Sequence, residues 1–151
     1  MFNHVDSRSI DITLFIIANL VNFLIIGIFL ARPKGLEKVE FILGLVVVAM
    51  ILPVGTAVIL NILKKREWWT IVMPIFLILF CVVELMFDYI LKLNFRNTGL
   101  IWPYLIVYYM GLMGMIGYSF LIGKLYGFIT LSTYFLNLLI TWYSYTRIGH
   151  G

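Results

Sequence analysis

The sequence predicts an all-α polytopic integral membrane protein, a bundle of five transmembrane helices with short loops. Composition points there first. Apolar residues make up 63% of the 151 residues and charged ones 12%, against about 25% charged in an ordinary soluble domain. A soluble domain of this size still exposes roughly 30% of its unfolded-chain surface, which a chain of mean hydropathy +1.06 could not cover with polar groups. The second observation is that the apolar residues gather into five nearly unbroken runs separated by short charged links. The third is that these runs lack the period-two alternation of a barrel strand. Helices are then the spanning element, because each satisfies its own backbone hydrogen bonds. No linker, low-complexity tract or internal repeat interrupts the chain, so residues 1–151 are expected to form a single membrane domain.

A span takes about 20 mostly apolar residues. The first is expected over 12–31, closed by Arg32-Pro33-Lys34-Gly35. Its length exceeds the apolar core of a signal peptide, and Ala31-Arg32-Pro33 offers no small-x-small cleavage site, so it reads as a retained anchor. The second covers 41–63 and stops at Lys64-Lys65-Arg66-Glu67. Pro53, near its middle, lacks an N–H and crowds the carbonyl four residues back, which predicts a kink. Trp68 and Trp69 mark a head-group layer, and the third span follows over 69–91. Asn97-Thr98-Gly99 turns the chain into the fourth, 100–122, and Gly123-Lys124 with Gly127 into the fifth, 127–146. Such short links imply antiparallel neighbours. Pro74 and Pro103 fall nearer span ends.

Orientation is balanced. Arg8, Lys64, Lys65, Arg66 and Lys124 share one side, five in all, and Arg32, Lys34, Lys38, Lys92, Arg96 and Arg147 the other, six. The positive-inside rule favours the dense 64–66 cluster as cytoplasmic, and insertion in both orientations is the alternative. The expected location is the cytoplasmic membrane of a prokaryote.

Within the spans, Glu84 and Asp88 are the proton- or cation-binding candidates. They lie four apart, on one face of a helix with Cys81 and Lys92. Ionisable residues at such depth mark ion paths. The competing reading is an interfacial cluster of Glu84, Asp88, Lys92 and Arg96 that pins the helix end. Lys92 and Arg96 are also the candidates for holding an anionic lipid head group. Thr130, Thr133, Asn137, Thr141 and Ser144 form one polar stripe on the fifth span, and Asn19 and Asn22 face the same interior from the first. Thr133, Asn137, Thr141, Asn19 and Asn22 are read as a supporting polar wall, either interhelical glue or the lining of a hydrated path. Gly111, Gly114 and Gly117 recur every three residues and allow close backbone approach, within one subunit or between copies. Tyr104, Tyr108, Tyr109 and Tyr118 crowd the fourth span as interfacial anchors or a face for a planar ligand.

Other chemistries are not encoded. The net charge of +4 comes from helix ends, and no basic run exceeds Lys64-Lys65-Arg66, so no nucleic-acid partner is expected. Cys81 is the single cysteine, which excludes an intrachain disulfide. His4 and His150 sit at the termini, so no haem pair and no zinc spacing exists. No metal or cofactor is expected, and no catalytic residue is assigned, since phosphate loops and nucleophile elbows are absent. Three functions remain. The leading one is transport or channel activity with Glu84 and Asp88 as the site. The alternatives are a non-catalytic accessory or assembly subunit, and a membrane enzyme acting on a lipid. The expected partners are membrane lipid and either further copies of the chain or another membrane protein.

Overall fold

Each apolar run folds as a helix or a pair of helices in the computed structural model, which describes residues 6–93 and 98–148. The first, α1, runs Ser7–Ala31, and its earlier start brings Asp11 into the helix. A 3-10 turn, Arg32–Lys34, ends it. Gly35 then reverses the chain at φ +65°, a left-handed geometry that glycine adopts without a Cβ penalty.

The second run is two helices, α2 (Glu37–Ala49) and α3 (Ile51–Leu63), with a break at Met50. Pro53 supplies the reason: it gives the Ala49 carbonyl no i+4 donor. Met50 instead turns its N–H to Val47 O at 3.1 Å. The third run forms α4 (Trp69–Glu84) and continues as a π-helical stretch, Leu85–Ile90. Here the 100° spacing used to place Asp88 no longer holds. Pro74 lies inside α4 and is buried, deeper than the sequence suggested. Its missing N–H frees the Thr70 carbonyl, which accepts Asn61 Nδ2 at 2.8 Å. The fourth and fifth runs are α5 (Ile101–Ile122) and α6 (Lys124–Ile148), separated by Gly123 alone.

Among the described residues, five helical segments are long and apolar enough to cross a membrane, so the chain is a multi-pass integral membrane protein. Their antiparallel order gives the bundle two ends. The first end carries the start of α1, the 64–68 link and Gly123. The second carries the 32–36 turn, the π-helical stretch, the start of α5 and the end of α6. Trp68 and Trp69 stack with ring centroids 3.5 Å apart at the first end. Trp102 and Trp142 are exposed at the second, completing the pair of aromatic belts that indole rings form at head-group level. Leu52, Leu125 and Leu139 on the outer faces are also exposed, as lipid contact requires.

The core centres on α1, with Leu14 and Val21 fully enclosed, together with Val54, Leu77, Met115 and Tyr118. The closest pairing is α4 with α5. A Cβ on Gly111 would lie 3.2 Å from Phe76 O, and one on Gly114 2.9 Å from Met73 O. The glycine ladder is therefore a seam within one subunit, where a small residue lets two backbones meet. Gly114→Leu should force α4 and α5 apart and cost about 1–3 kcal/mol, as overpacking does, read as a lower thermal unfolding temperature in detergent. Unchanged unfolding would mean the two helices do not touch there.

Candidate functional site

Glu84 ends α4, and burial of the α4 face that meets α5 carries it inward, where it is 9% exposed. Tyr104, one turn into α5, donates its hydroxyl to Glu84 Oε2 at 2.6 Å. The carboxylate stands between two cavities at the second end of the bundle. The larger, about 500 Å³, runs between α1, α4, α5 and α6, walled by Phe29, Phe80, Trp102, Tyr108 and Tyr109, with Thr141 as a further polar group. The smaller, about 240 Å³, is lined by Glu37, Glu40, Asp88 and Tyr89. Ile28, Arg32 and Glu84 line both. Arg32 does not point its charge freely into either. Its Nε donates to Glu40 Oε1 at 2.9 Å, and its guanidinium lies over the Phe29 ring.

The π-helical stretch shapes the smaller cavity. Its wider turn carries Tyr89 against α2, where the hydroxyl donates to Phe41 O at 3.0 Å in a slot that only Gly44 leaves open. Asp88 is partly buried and faces the smaller cavity alone. Glu84 and Asp88 thus share one chamber although the α-helical register between them is lost. Lys92 is exposed beyond the stretch, at φ +47°. Arg96, the other head-group candidate, lies outside the described residues.

The polar wall is a single chain of hydrogen bonds joining α1 to α6. Thr141 Oγ1 donates to Asn137 Oδ1 at 3.2 Å, and Asn137 Nδ2 to Asn22 Oδ1 at 3.4 Å and to Tyr108 at 3.3 Å. Asn22 Nδ2 donates to Thr133 Oγ1 at 3.0 Å, Thr133 to Asn19 Oδ1 at 2.9 Å, and Asn19 Nδ2 to Thr130 Oγ1 at 3.2 Å. Thr130 then donates to Ser119 at 2.9 Å. All the predicted wall residues meet in this seam. It touches the larger cavity only at Thr141 and Tyr108. Towards the first end it is closed, with Asn137 and Ser119 at 0% exposure.

A second polar centre, which the sequence reading passed over, closes the first end. Asp11 of α1 accepts both guanidinium nitrogens of Arg66, at 2.7 and 3.1 Å, and the Tyr118 hydroxyl at 2.6 Å. Arg66 also donates to Asn61 Oδ1 at 3.0 Å, and Asn61 reaches the carbonyl freed by Pro74. The hydrogen bond to Asp11 is the main reason the Arg66 pKa rises above its ordinary value. A raised guanidinium pKa stabilises the fold below the unfolded-state value, so this contribution is constant through neutral pH and lost only in strong alkali.

Sequence reasoning missed Arg32 and Asp11, and for Tyr104, read as an interfacial anchor or part of a ligand face, it missed the bond to Glu84. For tyrosine the signal was present: Tyr104, Tyr108 and Tyr118 each bond a polar residue of another helix, so hydroxyls within a span call for partners as amides do. Among the described residues, no group of three or more His, Cys, Asp or Glu side chains could hold a metal ion. No protein-family model, curated protein or solved structure matches the chain.

Asp11→Ala should strip Arg66 and Tyr118 of their acceptor. Breaking a largely buried pair from one side costs about 3 kcal/mol, which thermal unfolding in detergent would register as a lowered midpoint. A variant as stable as wild type would show that the clamp does not hold the first end together.

Proposed function

We propose that this protein is a small membrane transport protein in which Glu84, assisted by Asp88, binds a proton or a cation during the cycle. One observation carries the reading: a buried carboxylate, bonded to a tyrosine, forms the shared wall of two cavities at one end of a bundle whose other end is closed, among the described residues, by the Asp11, Arg66 and Tyr118 cluster. Intramembrane ionisable groups of this kind mark ion and proton paths. Cavity on one side and closed packing on the other is the arrangement of a carrier at rest in one of its two states.

The groups that face Glu84 fit an exchangeable charge. Tyr104 approaches from α5, Arg32 from the turn after α1, Glu37 and Glu40 from α2, and Asp88 and Tyr89 from its own π-helical stretch. Movement also has its joints. The Met50 break lies one turn beyond Val47 on the cavity wall, and the π-helical stretch begins directly after Glu84. Irregular turns of this sort occur where helices must rearrange. Continuous conduction along the polar seam is disfavoured, because an amide donates from one atom and accepts on another and so passes a hydrogen bond more readily than a proton. In this reading the working unit is a homo-oligomer, since five helices enclose little pathway alone.

The test uses proteoliposomes containing a pH-sensitive dye and an inside-acid gradient, challenged with sodium or potassium and compared with protein-free liposomes. Wild-type protein should release protons when a cation is supplied. Glu84→Gln should reduce that release by about tenfold or more, as loss of an essential intramembrane carboxylate does. Release undiminished by Glu84→Gln would remove Glu84 from the mechanism.

A further inference from the structure

We propose that the larger cavity takes a membrane-dissolved alcohol, an uncharged amphiphile whose apolar body lies against the rings and whose hydroxyl meets Tyr108 and Thr141. The inference goes beyond the carrier reading and does not depend on it. It begins where the polar seam reaches the cavity. Tyr108 accepts Asn137 Nδ2 at 3.3 Å, and Thr141 donates to Asn137 Oδ1 at 3.2 Å. A hydroxyl can both donate and accept, and each of these spends one capacity on Asn137. Among the described residues, neither side chain makes another hydrogen bond. Tyr108 therefore keeps a proton to give, and Thr141 keeps lone pairs to receive one. Turning the Asn137 amide over exchanges the two roles and still leaves one donor and one acceptor. Both residues line the cavity, with Asn137 fully buried behind them. The inner wall thus carries a neutral donor and acceptor side by side.

Charge favours neither sign of ion. The cavity is lined by one carboxylate, Glu84, and one guanidinium, Arg32. Tyr104 donates to the first, and Glu40 holds the second. Around them at the second end, Glu37, Glu40 and Asp88 stand against Lys34, Lys38, Lys92 and Arg147. An ion entering here would give up its hydration for a wall whose charges already balance. A pure hydrocarbon would suit the rings but strand the Tyr108 proton and the Thr141 lone pairs, and a buried polar group left unmet is costly. One hydroxyl answers both. Size and entry agree. About 500 Å³ lies within the range of small-molecule sites, roughly 300–1,000 Å³. Trp102 and Tyr109, two turns apart on one face of α5, and Tyr145 of α6 are exposed and also line the cavity. The cavity therefore reaches the outer surface between α5 and α6, where the surroundings are lipid, and its occupant enters from the bilayer.

The experiment titrates the full chain in lipid nanodiscs by calorimetry, with empty nanodiscs subtracted, using probes that share one isoprenoid chain. These are farnesol, farnesyl methyl ether, farnesylamine as the cation and farnesyl phosphate as the anion. Farnesol should bind about tenfold more tightly than the ether, which can accept a hydrogen bond but has none to give. It should exceed either ion by about tenfold as well. Thr141→Val, which removes one of the two hydroxyls, should weaken farnesol about fivefold. Because the comparison of probes uses wild-type protein, it stands even if the variant fails to fold. Ether or either ion binding as tightly as the alcohol, or no binding of farnesol, overturns the inference. Selective farnesol binding by protein that releases no protons to sodium or potassium supports the inference and overturns the carrier reading alone. Proton release without farnesol binding overturns the inference and leaves the carrier reading in place.

Discussion

Hydrocarbon offers no hydrogen bonds, and that constraint organises the interior of this protein. Every polar side chain carried into a span has to find a partner, on the backbone of its own helix as Thr56 and Ser132 do, on another helix, or at a water-filled space. Among the described residues, no buried side-chain nitrogen or oxygen lacks one. The consequence reaches the backbone as well. Pro74 frees the Thr70 carbonyl, Asn61 answers it, Arg66 holds Asn61, and Asp11 holds Arg66. A single proline in α4 is thereby tied through α3 and the following link to α1, and through Tyr118 to α5.

The same constraint makes the two ends of the bundle unlike. Towards the first end, polar groups are consumed by one another and the helices close over them. At mid-depth the Met50 break, and at the second end the π-helical stretch, take backbone out of regular register, and Tyr89 must be received by Gly44 for the stretch to fit. The helices no longer mesh there, and the space between them is lined by rings and carboxylates. Glu84 sits where the two regimes meet: buried like the seam residues, bonded to Tyr104, and facing both cavities.

Much of the fold was legible in the sequence because span length and apolar continuity are dictated by bilayer thickness. The span boundaries moved mainly outward, by Ser7, Glu37, Lys124 and Ile148, since charged ends can remain helical in the head-group layer. Pro53 announced the break at Met50. The π-helical stretch was not announced, because nothing in Leu85–Ile90 distinguishes it from an α-helical run until Tyr89 meets Gly44. Of the site, Glu84 and Asp88 were visible as carboxylates in a span, and the Asn and Thr residues as a stripe. The cross-helix partners were not: Tyr104 read as an interfacial anchor or a face for a planar or lipid-like ligand, Arg32 as a loop charge, and Asp11 as lying outside the first span. Pairing across helices is set by tertiary packing, to which one-dimensional periodicity is blind.

The central claim is that the bundle is closed at one end among the described residues and holds a water-reachable cavity beside Glu84 at the other. Cysteine accessibility reads this directly. In a Cys81→Ala background, Thr141→Cys on the cavity wall should react with a membrane-impermeant thiol reagent added from the second-end side alone, whereas Ser119→Cys within the seam should react from neither side. A Thr141→Cys that stays unlabelled, or a Ser119→Cys labelled as fast as it, would contradict the account.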